Sequence, residues 1–248
     1  MALTFITCKK NNEEEQGKKG KLVKTVTVEQ NTGTSTLTFI YDNQNRLIKI
    51  DFGNSYTDII QYSKNEITLF RHRKSWVGST DTTYTYLFQL DNNGYLISDN
   101  YIGLYKYNDD NIAKNSYAYE NGYLNEIKEN ITSNFGNDIN NYYEFSWANG
   151  NIVQAMKKNS EDTSTAIYEY NSRENLLNIE VFSKFISVPY QKFKGCASKN
   201  CLVKEVFSKC IITYDYEFDT DGYPTQIVSN SWTDGYLEST VKFILTYY

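Results

Sequence analysis

Along most of the chain, apolar and polar residues alternate with a period of two. Leu37, Phe39 and Tyr41 share one side of an extended segment while Thr36 and Thr38 take the other. The same alternation sets Tyr84, Tyr86, Phe88 and Leu90 against Thr83, Thr85 and Gln89. It recurs with Tyr143, Phe145 and Trp147 against Glu144 and Ser146, and with Tyr214, Tyr216 and Phe218 against Asp215 and Glu217. Successive side chains of a strand point to opposite faces, so the pattern predicts half-buried strands, each with one aromatic face. No stretch sustains a helical apolar stripe, which speaks against crossover helices and a parallel sheet.

A recurring turn punctuates these strands. Tyr41-Asp42-Asn43-Gln44-Asn45-Arg46-Leu47, Leu90-Asp91-Asn92-Asn93-Gly94-Tyr95-Leu96 and Phe218-Asp219-Thr220-Asp221-Gly222-Tyr223-Pro224 share a four-residue turn that ends on Gly or Asn, the residues that accept positive φ. Asn121-Gly122, Asn149-Gly150 and Asp234-Gly235 carry the strongest short hairpin signal. Residues 170–176 read as a longer copy without glycine. With further Gly, Asn and Ser clusters between them, turns fall roughly every 12 residues, as in strands joined directly to their neighbours.

The chain is therefore predicted to be all-β: an antiparallel up-and-down meander of roughly 14 to 18 short strands, more than an open sheet sustains without curling or closing into a barrel. Residues 1–20 read as a leader and disordered tether, and 21–248 as a single β-meander domain. Within it, residues 176–218 hold longer apolar segments around Pro189 and read as an irregular longer hairpin or a plug.

Composition narrows the partners. With 25 Lys and Arg against 30 Asp and Glu, the net charge is -5 and no basic tract runs long enough to track phosphates. Nucleic acid is excluded as a partner on that ground. The 23 tyrosines suit pleated, half-buried surfaces. No run of about 18 apolar residues provides a membrane-spanning helix.

The four cysteines stand at 8, 196, 201 and 210. A short apolar lead, residues 1–7, ends at Cys8, and Lys9-Lys10-Asn11-Asn12-Glu13-Glu14-Glu15 follows. This resembles a bacterial lipoprotein signal with Cys8 as the lipid acceptor, followed by the charged export tag of Bacteroidetes surface lipoproteins. It departs from that pattern in lacking a basic start and in placing Thr7 before the acceptor. A start codon placed too late explains the short lead; the other reading is a disordered N-terminus with an incidental cysteine. Cys196 and Cys201 flank a place where another turn is due and are expected to form a disulfide in an oxidising compartment, which leaves Cys210 free. Three cysteines and a distant His72 lack the paired spacing of a zinc site.

Tyr41-Asp42-Asn43-Gln44-Asn45-Arg46-Leu47 is similar to the YD repeat of Rhs-type proteins, Tyr-Asp-x-x-Gly-Arg-Leu, with Asn45 in place of the glycine. Together with the lipoprotein-like start and the Tyr, Asn and Ile bias, residues 20–248 resemble a Bacteroidetes family of secreted proteins with a porin-like fold, DUF4595. The resemblance implies a fold and an envelope location. It implies no catalytic residue.

The catalytic inventory is thin. His72 is the sole imidazole, flanked by Arg71 and Arg73, and reads as a solvated strand residue. No nucleophile elbow, phosphate loop or zinc-protease motif occurs. Asp219, Asp221 and Gly222 resemble the opening of a calcium loop, but Val228 stands where the bidentate acid belongs and the segment matches the ion-free turn at Asp91. Trp76, Trp147 and Trp232, near turns, offer faces for stacking on sugars or for cross-strand packing.

The sequence reads as a non-catalytic surface or periplasmic lipoprotein of the cell envelope, without cofactor, that binds a glycan, an envelope protein or another extracellular ligand and meets the membrane only through a lipid anchor. An integral outer-membrane β-barrel is the alternative. Against a lipid-facing band stand Leu47-Lys49-Asp51 and Tyr123-Asn125-Ile127-Glu129, which place charge on one face, and Leu124-Glu126-Lys128, which place it on the other. A carbohydrate-active hydrolase using unidentified carboxylates is the second alternative.

Overall fold

The computed structural model describes residues 20–53, 55–73, 82–102, 112–132, 139–177 and 196–248. Sixteen strands form it: β1 (Val23–Gln30), β2 (Gly33–Tyr41), β3 (Leu47–Asp51), β4 (Tyr56–Tyr62), β5 (Glu66–Arg73), β6 (Thr82–Leu90), β7 (Leu96–Ile102), β8 (Ile112–Glu120), β9 (Tyr123–Thr132), β10 (Ile139–Ala148), β11 (Asn151–Lys158), β12 (Thr163–Glu174), β13 (Asn200–Phe207), β14 (Cys210–Phe218), β15 (Pro224–Thr233) and β16 (Tyr236–Tyr247). Each pairs antiparallel with the next, and β16 pairs with β1, so the sheet closes into a barrel with no edge. Closure removes the unpaired edge that an open sheet presents to other chains.

The predicted turns are present and explain themselves. Asp42, Asp91 and Asp219 each accept, on one Oδ1, the N–H groups two and four residues on, at 2.8–2.9 Å. Each turn then passes through a left-handed residue, Asn45 at φ 59°, Gly94 at 76° and Gly222 at 89°. The Asn-Gly and Asp-Gly pairs put both central residues at positive φ, as type I′ turns require.

A β-bulge follows six of the hairpins at this end of the barrel. Tyr41 pairs with Leu47, Leu90 with Leu96, Tyr119 with Leu124, Trp147 with Ile152, Tyr170 with Leu202 and Phe218 with Pro224, each across a register shift. A bulge bends its strand and disrupts the ladder locally. The freed carbonyls are met from the neighbouring strand: Tyr62 donates to the Leu47 carbonyl (2.8 Å), Tyr119 to Leu96 (2.7 Å), Trp147 to Leu124 (2.7 Å), Tyr216 to Leu202 (2.7 Å) and Tyr247 to Pro224 (2.5 Å). Tyr248 closes the ring across β1 by donating to the Phe39 carbonyl at 3.0 Å.

The alternating aromatic faces of β2, β6, β10 and β14 point inward. Val26, Leu37, Phe39, Ile50, Leu202, Tyr214, Ile227 and Leu245 form one core, and Ile60, Ile67, Leu69, Phe88, Leu96, Tyr117 and Leu124 a second; Leu47 packs against both. Phe39, Ile50, Leu96, Ile227 and Val26 are fully buried. The outer face carries threonines and charge: Thr25 bonds Thr246 (2.7 Å), and Thr27 bonds Thr36 (3.1 Å). A closed sheet shelters only one face, so the apolar core is the barrel interior.

At the tight-turn end, a segment between β12 and β13 lies over the hairpins. The Cys196 amide donates to Gly122 (3.0 Å), Lys199 to Gly150 (2.9 Å) and Asn175 to Lys199 (2.8 Å). Ser198, 2% exposed, accepts from the Ile152 amide (3.2 Å) and meets the Tyr170 hydroxyl (3.0 Å).

Two expectations are corrected. The irregular region is narrower than 176–218, because β13 and β14 are ordinary barrel strands; residues 178–195 lie outside the described residues. The Cys196–Cys201 disulfide is absent: Cys201 is a free, buried thiol that donates to the Glu174 carbonyl (3.4 Å), and burial pushes its pKa up to about 11. Cys196 is instead engaged in a disulfide in which neither Cys201 nor Cys210 takes part, its backbone tied to the β8–β9 turn while Cys201 is fixed within β13. Cys210 is also free, with Sγ 3.7 Å from the Ser231 hydroxyl.

Replacing Tyr119 by Phe strands the Leu96 carbonyl and is expected to lower stability by about 1–2 kcal/mol in urea unfolding. The outward Tyr142→Phe, whose hydroxyl meets Glu126 on the outer wall, should cost less than Tyr119→Phe in the same measurement.

Candidate functional site on the inner wall

Most inward positions are apolar, so polar ones stand out. Four of them form a row across neighbouring strands: Asp99 on β7 faces Asn115 on β8, Asn115 faces Glu129 on β9, and Glu129 faces Asn141 on β10. Their direction follows from the alternation of exposure along β8, where Lys114, Ser116 and Ala118 face out, and from the burial of Asn141 beside the exposed Asn140 on β10.

The hydrogen bonds within the row run in one sense. Asn115 Nδ2 donates to Asp99 Oδ1 (2.8 Å), and Asn141 Nδ2 to Glu129 Oε2 (2.6 Å). The Tyr117 hydroxyl donates to Asp99, and that of Tyr143 to Glu129 Oε2 (3.3 Å). Burial, reinforced by the Glu129 charge, pushes the Tyr143 pKa up to about 12, which keeps its proton in place as a donor. Both amide oxygens, Asn115 Oδ1 and Asn141 Oδ1, are buried and without a donor, and Asn141 as a residue is 7% exposed. Each such oxygen costs about 1–3 kcal/mol while unpaired. Asn115 and Asn141 are held in shape by the neighbouring carboxylates, with their amide oxygens left to accept a donor.

In two other inward polar pairs the acid is engaged by its partner. Asp58, 0% exposed, takes a two-pronged bond from Arg71, Nε to Oδ1 at 2.7 Å and Nη2 to Oδ2 at 2.8 Å. Above the guanidinium stand the rings of Tyr56 (4.4 Å), Tyr86 (5.6 Å) and Phe52 (5.8 Å). Glu205, 5% exposed, accepts from the Tyr214 hydroxyl at 2.7 Å; burial nevertheless raises its pKa from 4.5 to about 7.

The residues singled out from sequence scatter. His72 faces outward on β5 with Nδ1 2.9 Å from the Thr83 hydroxyl. The carboxylates of the calcium-like turn are taken by Lys21, whose Nζ lies 2.7 Å from Asp219 and 2.6 Å from Asp221. Among the described residues, no group of three or more His, Cys, Asp and Glu is placed to hold a metal ion. Trp147 is spent on packing against Tyr123 (4.6 Å) and on the Leu124 carbonyl. Trp232 pairs with Ile211 and Leu237 on the outer wall. Cys8 and Trp76 lie outside the described residues. Sequence reasoning missed the row; its signal was Asn141 and Glu129 at positions whose strand mates, Tyr143 and Ile127, are core-facing.

No family model matches the chain, and no curated protein does. Solved structures do match in fold. One is a porin-like protein from Bacteroides uniformis ATCC 8492, at TM-score 0.68 and 14% identity over 93% of this chain and 99% of that one. Another is a porin-like protein from Bacteroides vulgatus ATCC 8482, at TM-score 0.62 and 13% identity over 91% and 98%. This protein is thus an all-β, porin-like closed barrel, and the likeness extends to fold alone.

Two outcomes are expected here. Asp58→Ala leaves the buried Arg71 charge unpaired and should cost about 3–5 kcal/mol in urea unfolding. For Glu205, folded and unfolded chains are both protonated below pH 4.5; as pH rises, the unfolded carboxyl ionises first, so stability falls until about pH 7 and then levels. The total loss is about 3 kcal/mol. Unfolding measured from pH 4 to 8 should show this decline, and Glu205→Gln should flatten it.

Proposed function

We propose that the protein is a non-catalytic barrel of the cell envelope that stands in water and binds its ligand inside the barrel. The observation that carries this reading is the partition of its faces. The outer wall holds ion pairs, Glu169 with Lys204 (2.8 Å), Glu126 with Lys128 (2.8 Å), Glu29 with Lys242 (3.8 Å) and Glu144 with Lys158 (3.9 Å), while the sheltered wall is aromatic. A barrel that crosses a membrane needs an apolar outer band, and charge at its midplane costs about 2–4 kcal/mol per residue. A row of apolar outer residues does cross β12 to β16, through Ile167, Val206, Ile211, Trp232 and Leu237. At β8 to β10, by contrast, the outer wall offers Lys114, Asn130 and Asn140.

The absence of catalysis in this reading rests on the outward imidazole of His72 and on the row, whose groups hold one another instead of a nucleophile. Carbohydrate hydrolysis by the row's carboxylates is disfavoured because each already accepts an amide and a phenol.

An integral outer-membrane barrel is the second reading, favoured by sixteen-strand closure and by the likeness to proteins described as porin-like. Expression without detergent separates the two. A monodisperse species that elutes at the chain's own 28.8 kDa supports the aqueous barrel, and aggregation relieved only by detergent supports the membrane one.

A further inference from the structure

We propose that Arg71 and Arg73, on the inner wall at the mouth opposite the tight turns, bind the carboxylate of an acidic sugar. The inference rests on the lumenal-binding reading above and names the ligand class.

A guanidinium carries five N–H donors in a planar fork, and Asp58 takes only its side edge, where Nε and Nη2 each give one proton to Oδ1 and Oδ2. The end edge, formed by the second Nη2 proton and one on Nη1, has no partner among the described residues. Two parallel N–H groups of this kind are what a carboxylate accepts in a bidentate grip. Solvent reaches the edge. Among the described residues, the buried side-chain atoms without a partner belong to Asn100, Asn115 and Asn141, so the unbonded Nη1 is not buried; the Arg71 side chain keeps 23% exposure where Asp58 keeps 0%. Asp58 and the rings of Tyr56, Tyr86 and Phe52 hold the guanidinium in one place, so a ligand loses little binding energy to ordering it.

Arg73 supplies the charge. β5 pairs with β4 and β6 without a register shift, so Arg73 stands on the same wall as Arg71, about 7 Å further along the strand. It is exposed, it ends β5, and among the described residues it meets no acid. Asp58, Arg71 and Arg73 together leave one surplus positive charge, which matches a singly ionised carboxylate and leaves part of a phosphate's charge uncompensated. Tyr56, the cross-strand partner of Arg73, adds a half-buried hydroxyl that makes no hydrogen bond among the described residues. A hydroxyl both donates and accepts, as the hydroxyls of a sugar do, whereas the apolar tail of a fatty acid leaves it unmatched.

The test is calorimetric titration of the purified chain with trigalacturonate and with sialyllactose, beside their neutral counterparts, the galacturonate methyl ester and lactose, at low salt and at about 0.15 M. Saturable binding of an acid is expected, weaker at the higher salt and about tenfold or more tighter than that of its neutral counterpart. Arg71→Lys, which keeps the charge and loses the end edge, and Arg73→Gln should each weaken it by about tenfold or more, and Tyr56→Phe by about threefold. The outward Lys242→Gln should leave it within twofold. If Arg71→Lys does not fold by circular dichroism, Arg73→Gln, at an exposed position, decides. Absence of saturable heat with both acids, or Arg73→Gln binding as tightly as the wild-type chain, overturns the proposal. Neutral counterparts that bind as tightly as the acids also overturn it while leaving the lumenal reading intact. A chain that stays dispersed only in detergent removes that reading itself.

Discussion

The structure depends on how a sixteen-strand sheet is made to close around its aromatic face. Straight hairpins of this number would splay, and each would leave its tyrosines in water. The bulge after six of these hairpins bends the strand and breaks one step of the ladder, which leaves a carbonyl unpaired. A tyrosine or tryptophan from the next strand then supplies the missing donor and fills the space beneath the turn. Closure and core packing are therefore one event: the carbonyl of Leu96 is satisfied only when β8 brings Tyr119 alongside, and Tyr119 is sheltered only when it does. The same device recurs at Leu47, Leu124, Leu202 and Pro224, so the barrel is assembled from repeated local solutions.

That device uses up the aromatic residues. Trp147 and the hairpin tyrosines, which in isolation offer faces to a sugar, are engaged in holding neighbouring strands together. The interior is left apolar near the turns, and the polar groups placed there come in matched sets. Arg71 answers Asp58 with two bonds and is flanked by rings; Tyr214 answers Glu205. The row from Asp99 to Asn141 differs in being matched only on one side. Its acids are provided with donors, its amide oxygens are not, and a buried polar group without a partner is costly. The outer wall obeys the opposite rule, with cross-strand threonines and charge pairs that water can reach.

Much of this architecture was readable before any coordinates. The turn residues specify backbone conformations that few others accept, and Asn45, Gly94, Asn121, Gly122 and Gly222 adopt them. The alternations at Leu37–Tyr41, Tyr143–Trp147 and Tyr214–Phe218 correctly separated core from surface, because nothing interrupts the period of two within them. The period fails where a bulge intervenes. Leu47, Lys49 and Asp51 look like one face; the shift between Ile40 and Tyr41 puts Leu47 inside with Ile50 and leaves Lys49 and Asp51 outside. Leu124, Glu126 and Lys128 are divided in the same way. Of the charges that sequence spread over both faces, Lys49, Asp51, Glu126 and Lys128 face outward, and Glu129 lies inside in the row. The cysteines misled for a related reason: nearness in sequence between Cys196 and Cys201 says nothing of the β8–β9 turn that holds one of them.

Sequence by itself determined the class of fold, the positions of the tight turns and the aromatic composition of the core, because each depends on a few neighbouring residues and on steric limits of the backbone. Tertiary structure alone decided which charges face outward, how the barrel closes, and that Asp99, Asn115, Glu129 and Asn141 stand side by side. Those facts depend on strand register, and register is set jointly by turn, bulge and packing on strands that lie far apart along the chain.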